Sequence, residues 1–197
     1  MFETLMTFAA IPGFDLVDLI IGLGVFAIIF VIFAESGLLI GFFLPGDSLL
    51  FTAGALYSIG VLPGNVPISI HLFVLLLFIA AVLGDSVGYT FGRRTGHHIF
   101  KKPDARIFKQ AHIKRAQDFY EKHGGKTIII ARFIPIVRTF APIVAGVGKM
   151  PYKKFLTYNI VGGLLWTAGI TYLGYFVGQA FQAAGVDVDQ VILPLVF

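Results

Sequence analysis

The sequence predicts an all-α integral membrane protein with several transmembrane helices and two opposed re-entrant helical hairpins, in the layout of an inverted-repeat transporter. Three observations carry this. Of 197 residues, 57% are hydrophobic and 13% charged, against about 45–50% and about 25% in soluble domains. Ten of the fifteen basic residues crowd between Arg93 and Lys126. Two apolar segments are each interrupted by charge and by proline. The mean hydropathy of +0.86 excludes a disordered chain and most ordinary globular enzymes. The absence of cysteine excludes disulfides, thiolate nucleophiles and Cys-based zinc sites.

In chain order, Leu19–Ala34 is 16 uncharged residues, extended by Leu16 and Val17. That suffices for a short membrane helix if Asp18 sits at the interface. It lacks the basic start and cleavage site of a signal peptide, so a retained helix is expected. Glu35 to about Gly60 follows as a hairpin, broken at Pro45-Gly46 beside Asp47, with Gly37 and Gly41 allowing close approach of a neighbour. The turn-forming Pro63-Gly64-Asn65-Val66-Pro67 precedes a span near Ser69–Phe91. At its end and just beyond, Gly84, Gly88, Gly92 and Gly96 form one packing stripe.

Residues 93–126 carry a net charge of +7, while the rest of the chain carries −3. Such a basic block between apolar segments predicts a cytoplasmic loop, and a nucleic-acid patch is the weaker reading. Phe108, Ala111, Ala116, Phe119 and Tyr120 recur between its basic residues, as in an amphipathic helix on the inner leaflet. An anionic-lipid contact fits the same block. Residues 127–148 (TIIIARFIPIVRTFAPIVAGVG) then lie between Lys126 and Lys149. Basic residues at both ends, with Pro135 and Pro142 inside, predict a second hairpin that enters and leaves on the cytoplasmic side. Phe155–Phe181 is the last span. A single membrane domain over 1–197 results. The alternative lets Glu35–Leu62 cross fully and puts the N-terminus outside, since no basic residue precedes Arg93.

Charges within a membrane cost roughly 2.5–3.5 kcal/mol each, so Glu35, Asp47, Arg132 and Arg138 together cost on the order of 10–14 kcal/mol unpaired. One reading is a pair of structural ion pairs. The other is a site: arginines bind an anionic head group bidentately, and buried carboxyl groups carry protons. Arg132 and Arg138 stand six apart, about 240° on a continuous helix, so a break at Pro135 is needed for them to converge. Asp85 reads equally as a further proton site or as a partner of Arg93 or Arg94. Trp166 reads as a packing residue, with interfacial anchoring as the alternative. The five histidines form no metal or catalytic motif. No cofactor, metal or catalytic residue is expected.

The motifs Glu35-Ser36-Gly37, FLPGDSLL (43–50), GDSVGY (84–89), FYEKHGGK (119–126) and ARFIPIVRTFAPIVAG (131–146) resemble the DedA family of bacterial inner-membrane proteins, also called SNARE-associated or VTT-domain proteins. The resemblance covers roughly Leu19–Phe181. It implies two opposed re-entrant hairpins. It further implies a role in envelope maintenance, by translocation of undecaprenyl phosphate or phospholipid with the proton motive force. The family's required acids and arginines fall on Glu35, Asp47, Arg132 and Arg138. Similar members continue into a last helix and a basic tail, whereas residues 191–197 are too short to span, so 182–197 reads as truncated.

The expected partners are membrane lipids, in particular an anionic lipid phosphate, and protons. Nucleic acid is not expected, and homo-oligomerisation is left open. The competing functions are a non-transporting membrane scaffold and, less favoured, a lipid phosphatase.

Overall fold

The structure, a computed structural model, describes residues 24–38, 46–60, 68–99 and 124–185. These residues form helices and turns without a strand. The helices are α1 (Val25–Gly37), α2 (Gly46–Ser58), α3 (Ile70–Ile99), α4 (Lys126–Ala131), α5 (Pro135–Val147) and α6 (Tyr152–Ala183). The amphipathic helix expected in the basic block and the segment 186–197 lie outside the described residues, as do Pro45 and residues 1–23.

Two helices, α3 and α6, are long and apolar enough to cross a membrane. At 1.5 Å per residue they measure about 45 and 48 Å, more than the roughly 30 Å of hydrocarbon. They pack antiparallel. His71 Nδ1 and the Tyr172 hydroxyl are hydrogen-bonded at 2.6 Å near one end, and the Tyr152 hydroxyl donates to Ser86 Oγ at 3.4 Å nearer the other.

The shorter helices pack crosswise on this pair. α1 lies on α3 and α2 on α6, while α4 lies on α6 and α5 on α3. Each long helix therefore holds one arm from each short pair. α1 reaches the middle of α3, where Gly37 meets Gly84. α2 then leads away from the middle along α6, from Asp47 beside Trp166 to Ser58 beside Gly178. In the second pair α4 approaches the middle along α6, and α5 leaves it along α3 in the opposite direction.

Glycine permits two close helix contacts that share one pattern. A Cβ on Gly54 would overlap the Thr171 carbonyl, and one on Gly174 would overlap the Phe51 carbonyl. Likewise, a Cβ on Gly146 would overlap the Tyr89 carbonyl, and one on Gly92 the Ile143 carbonyl. The α2–α6 and α3–α5 contacts are thus reciprocal glycine-to-carbonyl pairs. Of the stripe expected at 84, 88, 92 and 96, the first three supply α3's share: Gly84 faces α1, Gly88 touches both α1 and α5, and Gly92 faces α5, while the surroundings of Gly96 lie outside what is described.

Polarity is arranged for lipid. Large apolar side chains point outward, including Phe26 (71% exposed), Phe30, Leu83, Leu164 and Phe176. The interior holds Glu35, Asp85, Arg132, Asn159, Thr167 and Thr171. Two apolar clusters sandwich the charged level. One is built from α1, α2, the first half of α3 and Trp166; the other contains Tyr89, Ile128, Ala145, Met150 and Phe155.

Two expected boundaries are corrected. The first apolar helix does not stop before Glu35 but runs through it to Gly37. The Gly37–Gly84 contact anchors its C-terminal turn on α3. Pro142 is no break either; it lies inside α5. The loss of one hydrogen bond is localised there, and the helix is held on both sides of it by packing on α3. The break in the second segment falls at 132–134.

Candidate functional site

The site forms where the two short helix pairs meet at mid-height of α3 and α6. Its local geometry follows from proline and glycine. Ile134 precedes Pro135 and is extended, with φ −112° and ψ 108°, as proline demands of its predecessor. Pro135 then opens α5, where its missing N–H is harmless. The interrupted axis frees Arg132 and Arg138 from the 240° separation that one helix would impose. Both guanidinium groups converge on Trp166, with their Cζ atoms 5.4 Å and 4.7 Å from its ring centroid.

Arg138 joins both acids of the first helix pair. Its Nη1 donates to Asp47 Oδ1 and its Nη2 to Glu35 Oε1. Asp47 Oδ1 also accepts from Trp166 Nε1 at 2.7 Å. Arg132 Nη1 donates to Asp85 Oδ2 and, at 2.5 Å, to Asn159 Oδ1. Asn159 Nδ2 in turn donates to the Val82 carbonyl at 3.2 Å. Acids on the first pair and on α3 therefore meet bases on the second pair.

The cluster is closed on one side and open on another. The Glu35 side chain is 2% exposed and that of Arg138 10%, whereas that of Asp47 is 42% exposed. Asp47 is thus the exposed edge of the cluster. Four buried polar atoms of the cluster have no partner among the described residues: Arg132 Nε and Nη2, Arg138 Nε and Glu35 Oε2. Both cations retain unspent donors, at a site where an unpaired polar group is costly.

Gly46 is required by the first acid rather than by a turn. Any Cβ there would overlap the Glu35 carboxyl group. Gly46→Ala is expected to displace Glu35 from Arg138 and destabilise the protein by about 1–3 kcal/mol through overpacking. Thermal unfolding in detergent measures this; a melting temperature equal to that of wild type would contradict it.

The structure brings Glu35, Asp47, Asp85, Arg132 and Arg138 into two linked ion-pair groups. Asp85 pairs with Arg132 and not with Arg93 or Arg94. Arg93 lies eight residues along the same helix, about 12 Å away, and donates instead to the Tyr89 hydroxyl at 2.8 Å and the Met150 carbonyl at 3.3 Å. Trp166 and Asn159 are additions. Trp166 is buried packing, as expected, but packs on charge and donates to Asp47. The signal for Asn159 is its amide in a run of 32 residues without Asp, Glu, Lys or Arg, where burial requires hydrogen-bond partners.

Residues 44–176 match the VTT domain. Protein DedA of Escherichia coli (strain K12) is 54% identical over 158 residues, 80% of this chain and 70% of that protein. Uncharacterized membrane proteins of Mycobacterium tuberculosis (strain H37Rv) and Mycobacterium leprae (strain TN) are 45% and 43% identical over 86% and 87% of this chain, and over 72% and 73% of their own lengths. No solved structure matches. With a VTT domain over most of its length, apolar long helices and these relatives, the chain is a membrane protein of the DedA family.

Proposed function

We propose that the protein is a proton-linked transporter of an anionic lipid phosphate, such as undecaprenyl phosphate or a phospholipid, in the bacterial inner membrane. The observation that carries this is the pair of buried arginines on Trp166, which keep three donor nitrogens without a partner among the described residues, beside a half-exposed Asp47. A phosphate offers several acceptor oxygens and charge, and arginine is the side chain that matches them.

The charge count supports proton linkage. Glu35, Asp47 and Asp85 face two arginines, so one proton balances the cluster. An arriving phosphate competes with Glu35 and Asp47 for Arg138. Protonation of either carboxyl group releases an Nη donor for the ligand. Binding and proton uptake are thereby coupled through one guanidinium group.

Alternating access needs two related halves around a central site. The crosswise packing supports such halves: exchanging α1, α2, α3 with α4, α5, α6 leaves the principal helix contacts unchanged. The reciprocal glycine contacts support it too. Phe51 and Gly54 correspond to Ile143 and Gly146, as Tyr89 and Gly92 correspond to Thr171 and Gly174. In this reading each short helix pair is a re-entrant hairpin, entering from one face and returning to it. The basic block marks the cytoplasmic face of a multi-pass protein. No enzymatic step is invoked.

The test is inward movement of a labelled polyprenyl phosphate in liposomes. Arg132→Ala is expected to abolish it; equal movement in wild type and variant would refute the proposal. Trp166 is the single tryptophan of the chain, so its fluorescence should change on titration with the lipid phosphate and not with a neutral lipid.

A further inference from the structure

One face of α6 carries a polar ridge of which the charge cluster uses only the first member, Asn159. Asn159, Gly163, Thr167, Thr171, Tyr175 and Gln179 follow one another at intervals of four, one continuous ridge of a helix. Asn159, Thr167 and Thr171 are fully buried, Tyr175 is half-buried and Gln179 is exposed. The ridge thus begins at the hydrogen bond from Arg132 to Asn159 and ends at the surface. Near that end Gln179 Nε2 donates to the Tyr175 hydroxyl at 3.0 Å.

Thr171 departs from the habit of five other helical hydroxyls. Ser86, Thr90, Thr95, Thr157 and Thr167 each donate to the carbonyl four residues earlier. The Thr171 hydroxyl makes no such bond and has no partner among the described residues, although the residue is 0% exposed. A hydroxyl that leaves the carbonyl four residues earlier unused in a dry core loses a hydrogen bond for nothing. Successive ridge positions lie about 6 Å apart along the axis, the distance that one water spans with two hydrogen bonds of about 2.8 Å. The glycines of the α2–α6 contact hold the two backbones close beside this stretch.

We propose that this ridge is a hydrated polar track, with Thr171 as its central water-binding group, connecting the charge cluster to the surface at the C-terminal end of α6. Its ligand is water. Its use as the entry path for protons rests on the transport reading above; its hydration does not.

The chain has no native cysteine, so single-cysteine variants need no altered background. In proteoliposomes, Thr171→Cys should react with silver ion, which is close to water in size, at least tenfold faster than Ala53→Cys in the apolar core or Leu164→Cys on the outer face. A rate no faster than those two overturns the proposal. Stability provides a second measurement should Thr171→Cys fail to fold. Thr171→Val removes the hydroxyl and should melt below wild type, with Thr171→Ser close to wild type. An equal or higher melting temperature for Thr171→Val marks a dry, unpaired hydroxyl and also overturns the proposal. Neither readout depends on transport, so failure of the lipid-phosphate reading leaves both interpretable.

Discussion

Replacing Arg138 by Ala is expected to abolish function and cost about 3–5 kcal/mol of stability, the range for breaking a buried ion pair by removing one partner. Arg138 is the shared partner of Glu35 and Asp47. Without it, Glu35 keeps a buried carboxyl group facing Asp47, and one membrane charge balance becomes two uncompensated acids. Arg138→Lys separates the two consequences. Lysine restores charge, and with it most of the folded protein. It cannot direct two N–H groups along the fixed fork that reaches both acids, nor lie flat on Trp166. Arg138→Lys should therefore be abundant, unfold near the wild-type temperature and transport poorly. Abundance by immunoblot, thermal unfolding in detergent and the liposome assay distinguish these. Wild-type transport by Arg138→Lys would show that charge alone suffices.

The second large effect is expected at Arg132 and Asp85. Each is almost fully buried and each neutralises the other. Arg132→Ala or Asp85→Ala should individually cost about 3–5 kcal/mol, because each strands a charge between α3 and α6. The double variant should cost less than the sum, with a coupling of about 0.5–3 kcal/mol. A double-mutant cycle by chemical unfolding in detergent measures it. Strict additivity would mean that the two side chains do not interact in the protein. The same cycle between Asp85 and Arg93 should give no coupling, since Arg93 is engaged by Tyr89 and the Met150 carbonyl.

Much of the site is legible before any tertiary contact is known, for a simple physical reason. Charge in an apolar chain is expensive, so each instance that survives away from a loop demands an explanation. That singles out Glu35, Asp47, Arg132 and Arg138. Proline restricts its own φ and its predecessor's backbone, so the break that lets the arginines converge is also local information, and it lies at 132–134 beside Pro135. Pro142 shows where that rule yields: proline penalises a helix interior, but packing on α3 carries α5 through it.

What the sequence by itself determined is the membrane character, the long apolar helices and the identity of the stranded charges. These depend on composition and on spacing along one chain. Partnership was decided only by the tertiary structure. Asp85 and Arg132 are 47 residues apart, and Glu35 and Arg138 are separated by 103; nothing local relates them. The same holds for Trp166, an ordinary aromatic in a long apolar run until α2 and the broken α4–α5 segment bring Asp47 and two guanidinium groups to it. Ion pairing acts through space, and which acid reaches which base is set by how the glycine-lined helices cross.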